Sequence, residues 1–219
     1  MKLRILYDNN ARNGFKEGWG FSCLIETSEE KILFDTGWNG NILLHNMKIA
    51  GVNPEEIDKI VISHSHWDHI GGLNHILNCA KEPEVYIPKS IPVNLKNEIK
   101  NYADIIEVSE AQKICENVWT TGELGDKIKE QSLLLKTEKG NIILTGCAHP
   151  GIESIIEKSM RFGDVYAVIG GFHDSDIELL NEIPIIVPCH CTEKIEEIKK
   201  MSESYKTCFA GYSSNIKDL

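Results

Sequence analysis

Three histidines and one aspartate fall within six residues of the stretch "IVISHSHWDHIGGL", residues 60–73. The apolar, β-branched run before them has the character of a buried strand. Gly71 and Gly72 follow and permit a sharp turn or a close backbone approach. Residues two apart on a strand face the same way, so His64 and His66 can grip one cation from one side. The chain then leaves the strand, which lets Asp68 and His69 face a second cation. Imidazole and carboxylate donors suit zinc, with iron or manganese as alternatives. Four ligands this close together cannot complete a two-metal site. The fold must therefore bring in donors from far along the chain.

The candidates are few. The eight histidines are His45, His64, His66, His69, His75, His149, His173 and His190. His45 lies inside an early helical segment and His75 on a helix after the glycines; both read as structural. His149 in "LTGCAHPGI", His173 in "IGGFHD" and His190 in "VPCHCT" each follow a strand-like run. His173 has three open readings: a ligand, a group on a pocket wall, or a loop residue without a role. Cys147 is either a small buried side chain, the preferred reading, or a thiolate ligand.

The pattern along the chain is α/β. "KLRILY", "WGFSCLIET" and "KILFDTG" read as strands bounded by turn residues. "GNILLHNMKIAG" reads as a helix ending at Gly51. "KIVISH", "EVYIP" and "DIIEVS" then alternate with the helical "GGLNHILNCA" and "SIPVNLKNEIKNY". In the second half, "SLLLKT" and "NIILTG" form a hairpin turning at "EKGN". "IESIIEKSMRF" carries Ile152, Ile155, Ile156 and Met160 at helical spacing. "DVYAVIGG" and "IPIIVPCH" read as buried strands, "TEKIEEIKKMSESY" as an amphipathic helix and "KTCFAG" as a last strand. Antiparallel strands followed by β-α alternation in each half predict two sheets packed face to face with helices outside. A length of 219 residues suits one α/β domain spanning 1–219.

Charge and cysteine usage narrow the function. The net charge is −10, with no long basic run, which argues against tracking nucleic-acid phosphates and against a polybasic membrane anchor. No apolar stretch approaches the ~18 residues of a spanning helix. The opening apolar segment is too short for a signal peptide. Seven cysteines, odd in number and scattered, fit a reducing compartment, so a cytoplasmic location is expected. The "CHC" of residues 189–191 is too tight for a zinc-finger knuckle.

"HSHWDH" resembles the HxHxDH motif of the metallo-β-lactamase superfamily, in its expected place after a strand and before two glycines and a helix. "LFDTG", residues 33–37, is similar to that superfamily's earlier strand-turn signature, where Asp35 would orient the metal loop rather than ligate; the other reading is an ordinary turn aspartate. The resemblance runs from about Gly18 to the last strand. It implies a four-layer αβ/βα sandwich of two mixed sheets, with the metal site at one edge. It further implies His64, His66 and His149 on one divalent cation and Asp68, His69 and His190 on the other. The sequence departs from the family at "TGC", where Cys147 takes the place of an aspartate that usually bridges the metals.

"GGLNHIL", "LTGCAHPGI", "IGGFHD" and "PCHCT" together resemble the branch labelled 7,8-dihydropterin-6-methyl-4-(β-D-ribofuranosyl)-aminobenzene-5′-phosphate synthase. The expected activity is hydrolysis of a small phosphoester or lactone by a hydroxide formed between two cations, zinc first. Asp68 would hold its metal and orient the nucleophile, and His173 would stabilise charge or protonate a leaving group. One alternative is the synthase reaction, whose pterin ring Phe15, Trp19, Trp38 or Trp67 could wall. Another is iron-dependent redox chemistry, disfavoured because diiron relatives carry glutamate where this chain has His66. A non-catalytic metal-binding protein is the last. Nucleic-acid-processing members usually carry an inserted domain or exosite. A chain this short and acidic therefore fits a small-molecule substrate without nucleic-acid or membrane partners. Oligomeric state is not legible in the sequence.

Overall fold

A computed structural model describes residues 1–201 and 205–219. Its strands are β1 (Lys2–Tyr7), β2 (Ser22–Glu26), β3 (Lys31–Phe34), β4 (Lys59–Val61), β5 (Glu84–Pro88), β6 (Asp104–Val108), β7 (Glu110–Cys115), β8 (Val118–Gly122), β9 (Leu133–Thr137), β10 (Gly140–Thr145), β11 (Val165–Gly170), β12 (Ile185–Pro188) and β13 (Ser213–Asn215). The α-helices are α1 (Gly40–Ile49), α2 (Trp67–Ile70), α3 (Leu73–Leu77), α4 (Val93–Ile99), α5 (Ile152–Met160) and α6 (Ile195–Met201). The chain divides into two compact units, residues 1–108 with 209–218, and residues 109–208 with Leu219.

The first unit holds a seven-stranded sheet in the order β13-β1-β2-β3-β4-β5-β6. Its β13-β1-β2-β3 part is antiparallel and its β3-β4-β5-β6 part is parallel. Parallel neighbours need a crossover, and α1 supplies the one between β3 and β4. The Asn39 side chain caps α1 by accepting from the backbone N–H of Asn41 at 2.9 Å. The helix buries Leu43, Met47 and Asn46. Asn46 is polar but fully used. Its amide donates to Leu6 O and Lys16 O, both at 2.8 Å, and its carbonyl accepts the Lys16 N–H at 2.7 Å. That arrangement pins the loop after β1 without leaving a buried polar group unmet. Leu24, Leu33, Ile60, Ile62, Val85 and Ile87 join α1 and α3 in one apolar cluster. Each such side chain contributes about 2 kcal/mol on burial.

The second unit holds a six-stranded sheet, β12-β11-β10-β9-β8-β7. It is antiparallel from β7 to β10 and parallel from β10 to β12. The β9–β10 hairpin forms as expected, with Gly140 opposite Thr137. Helix α5 crosses from β10 to β11 and packs on β8, β10 and β11. Its buried face is Ile152, Ile155, Ile156 and Ser159, whereas Met160 is 52% exposed. The expected apolar face therefore runs through the seventh position after Ile152 rather than the eighth. Ser159 sits there because its hydroxyl donates to Ile155 O at 2.6 Å.

Three local expectations change. "GGLNHILNCA" holds only the short α3, and a separate helix, α2, precedes it inside the histidine motif. "KTCFAG" is not a strand: only Ala210 makes an isolated bridge, to Ala11, and the last strand is the polar β13 paired with β1. The β7–β8 hairpin is not legible in the sequence, because β7 mixes exposed and half-buried residues around one buried Ile114, with no apolar run. Of the amphipathic helix expected over "TEKIEEIKKMSESY", α6 covers Ile195–Met201, and residues 202–204 lie outside the described residues.

Candidate metal centre

The "HSHWDH" loop leaves the carboxyl end of β4, and the neighbouring strand β3 ends in "FDTG", which holds it. Asp35 is fully buried in a left-handed conformation, φ 56°, that aspartate tolerates better than most residues. Its Oδ1 accepts the Ser63 N–H at 2.7 Å, and its Oδ2 accepts the Ser63 hydroxyl and His69 Nδ1, each at 2.7 Å. Thr36 adds its N–H at 2.8 Å and its hydroxyl at 2.9 Å to His69 O. Of the two readings of Asp35, the geometry is that of an orienting residue.

These bonds fix two tautomers. An ionised carboxylate only accepts, so His69 Nδ1 must carry the proton and Nε2 keeps its lone pair. Ser63 donates to Asp35, so its oxygen accepts from His64 Nδ1 at 2.9 Å, which leaves the His64 Nε2 lone pair as well. One buried carboxylate thereby orients two imidazoles, directly at His69 and through Ser63 at His64, in a form that could serve a cation. Orienting partners of this kind typically govern metal affinity by about 10–100-fold. The ring of His64 lies 4.6 Å from that of His66 and 4.3 Å from that of His69, centre to centre. Asp68 Oδ2 is 3.9 Å from His69 Nε2. Trp19, although 56% exposed, donates its indole N–H to the same Oδ2 at 2.9 Å. The expected pairs His64 with His66 and Asp68 with His69 are thus drawn together within the first unit.

In the second unit the candidate residues follow the carboxyl ends of three parallel strands, a usual location for sites in open α/β sheets. Cys147 and His149 follow β10, His173 follows β11, and Cys189, His190 and Cys191 follow β12. Strand ends are laced together by Gly171 N–H to Gly146 O at 3.0 Å and Cys189 N–H to Gly170 O at 2.8 Å. A Cβ on Gly170 would lie 2.0 Å from Thr145 O, so only glycine allows this approach. Ala148, His173 and His190 have φ of 55°, 47° and 46°, strained values that cluster at functional loops.

Glu130 organises the first of these loops. It is 1% exposed. Its Oε1 accepts the Thr145 hydroxyl and the N–H groups of Gly146 and Cys147 at 2.9 Å and of Ala148 at 3.1 Å; Oε2 accepts the His149 N–H at 2.9 Å. Successive amides converging on an anion form a nest. The carboxylate therefore dictates the path of "TGCAH", and with it the placement of Cys147 and His149. Nothing in the sequence distinguishes Glu130, since most of the donors shown for it are backbone N–H groups, which carry no sequence signal.

His173 stacks on His149 with ring centres 4.8 Å apart. It also hydrogen-bonds Cys191, which raises its pKa against the lowering effect of burial. Cys191 is pulled well below the usual thiol range, first by a hydrogen bond with Cys147 and then by His173 and the nearby His190, against the raising effect of burial. The donor atoms of Cys147, His173 and Cys191 lie within 4.8 Å of one another. Among the described residues no two cysteines are joined in a disulfide. His45 and His75 stand outside these groups. His45 Nε2 meets Gly14 O at 3.0 Å, and the His75 ring packs on Gly40.

Imidazoles with a carboxylate in the first unit, and imidazoles with thiols in the second, follow strand ends and are groups that could hold a metal ion. The Metallo-beta-lactamase superfamily model matches residues 18–155, and the chain belongs to that superfamily. Its fold is the αβ/βα fold expected from the sequence, that of the superfamily's metal-dependent hydrolases. The chain is 31% identical to 7,8-dihydropterin-6-methyl-4-(β-D-ribofuranosyl)-aminobenzene-5′-phosphate synthase of Methanocaldococcus jannaschii, over 88% of each protein. It is 26% identical to the solved Tm1679, a metal-dependent hydrolase of the β-lactamase superfamily, with a TM-score of 0.83 over 99% of each chain. The short form of human tRNase Z shares the fold at 15% identity, TM-score 0.67, again over 99% of each chain. Among the described residues no helix is long and apolar enough to cross a membrane.

Proposed function

We propose that residues 1–219 act as one functional domain, a two-cation hydrolase of a small phosphoester or lactone. His64, His66 and His149 would hold one divalent cation, and Asp68, His69 and His190 the other. The observation that carries this reading is the Asp35–Ser63–His64 and Asp35–His69 network, which leaves two Nε2 lone pairs as donors. Zinc fits the nitrogen-rich donor set best, with iron and manganese as alternatives. When bound, such cations polarise the scissile bond and acidify water. Asp68, oriented by Trp19, would align the nucleophile, and His173 would donate an N–H to the leaving group. His66 supports hydrolysis over diiron chemistry.

The net charge of −10 favours a small substrate over nucleic acid. Chain length does not, because a tRNase Z chain of the same fold aligns end to end with this one. The scattered cysteines suit a cytoplasmic setting. The 31% identity to a synthase supports a second reading, transfer to an aminobenzene nucleophile in place of water.

The test is turnover of bis(p-nitrophenyl) phosphate and of a homoserine lactone by metal-stripped protein reloaded with zinc, manganese or iron. Metal-dependent hydrolysis that is lost in His66→Ala and Asp68→Asn is expected. Turnover that persists in both variants, or in the stripped protein, would refute the reading. Pterin transfer without hydrolysis would select the synthase.

A further inference from the structure

Cys147, His173 and Cys191 take no part in the six-ligand set above, yet three adjacent parallel strands each deliver one of them to the same place. We propose that these three residues form a cation site of their own, which takes one thiophilic divalent ion such as zinc.

The geometry suits such an ion. Zinc–sulfur bonds of about 2.3 Å and zinc–nitrogen bonds of about 2.0 Å place tetrahedral donors roughly 3.5–3.8 Å apart. The three donor atoms already lie within 4.8 Å of one another, so small side-chain rotations suffice. Cys147 is 1% exposed and Cys191 7%, so the sulfurs are shielded while the half-buried His173 gives access. Gly171 makes room: a Cβ there would sit 2.5 Å from Cys191 Sγ and 2.6 Å from Gly146 O.

Charge balance makes the site compatible with neighbouring cations. Two thiolates neutralise a dication, so a filled site adds no net charge to a buried region. Binding releases to solvent the protons the three donors carry and forms two sulfur–metal bonds and one nitrogen–metal bond. Three protein donors leave a fourth position open, as in zinc sites that bind water or substrate. His173 uses one ring nitrogen for the ion and keeps the other as an N–H donor. A cation at this position also explains why a cysteine is useful at 147, where thiolate chemistry can serve a metal.

The experiment is a cadmium titration of protein in which the partly exposed thiols Cys79 and Cys115 are replaced by serine. Thiolate-to-cadmium charge transfer in the ultraviolet and bound cadmium are both measured. A charge-transfer band saturating at one equivalent is expected. Cys191→Ser should abolish most of it and remove one equivalent of bound metal, whereas His64→Ala should leave it intact. Loss of hydrolysis in His64→Ala with the band retained would keep this inference separate from the reading of function. Absence of the band, its survival in Cys191→Ser, or its loss in His64→Ala would overturn the proposal. Cadmium NMR of the protein with Cys191 intact gives a check that needs no active-loop variant. A resonance in the thiolate-deshielded range supports the site, and nitrogen- and oxygen-ligated cadmium alone refutes it.

Discussion

Replacing Glu130 by glutamine changes almost nothing in shape and a great deal in hydrogen bonding. The carboxylate accepts the Thr145 hydroxyl and the backbone N–H groups of Gly146, Cys147, Ala148 and His149. Glutamine can keep its carbonyl oxygen where Oε1 lies and so retain four of them. Its NH2 group then faces the His149 N–H, donor against donor. A buried N–H left unmet costs about 1–3 kcal/mol, and hydrogen bonds to an uncharged acceptor are worth about 1 kcal/mol less than those to a charged one. Glu130→Gln should therefore destabilise the fold by about 3 kcal/mol. Urea unfolding would show this as a lower midpoint at constant slope. Glu130→Ala, which strands all five donors, should cost about 5 kcal/mol or prevent folding. Where Glu130→Gln still folds, cation affinity should fall as well, because the misplaced amide is that of His149. A midpoint within about 0.5 kcal/mol of the parent, an ordinary value for an unimportant surface change, would refute the claim that the carboxylate shapes the loop.

Asp35→Asn should lower cation affinity by about 10–100-fold, read by competition with a chelator, because the His64 and His69 tautomers are no longer enforced. An unchanged affinity would show that Asp35 only supports the turn. Trp19→Phe removes the indole N–H from Asp68 and should weaken cation binding by about tenfold while altering folding stability little, since the ring is largely exposed. Gly170→Ala sets a Cβ against Thr145 O and should destabilise by about 2 kcal/mol or more in thermal melts; an unaltered melt would show that the β10–β11 ends have freedom to separate.

The first unit's candidate ligands are legible in the sequence because they are contiguous and end a strand. Asp35 was visible as half of an ambiguity, and only the side-chain geometry resolved it. Ser63 was passed over, since a serine beside a histidine carries no signal until its hydroxyl is seen to relay between two side chains. Glu130 is not legible in the sequence because its role is to meet main-chain amides. Trp19 was read as a possible ring wall, and its indole N–H turned out to serve Asp68. Interior strands such as β10 and β11 show as apolar runs, whereas the edge strands β7 and β13 do not, because an edge need not be apolar. The α5 register slipped by one residue because a serine that bonds its own helix backbone can occupy a core position.

Anomalous diffraction from crystals of the zinc-loaded protein tests the central claim most directly. Two peaks are predicted, one coordinated by His64, His66 and His149 and the other by Asp68, His69 and His190. A zinc-loaded structure in which either His149 or His190 coordinates no metal would contradict the account.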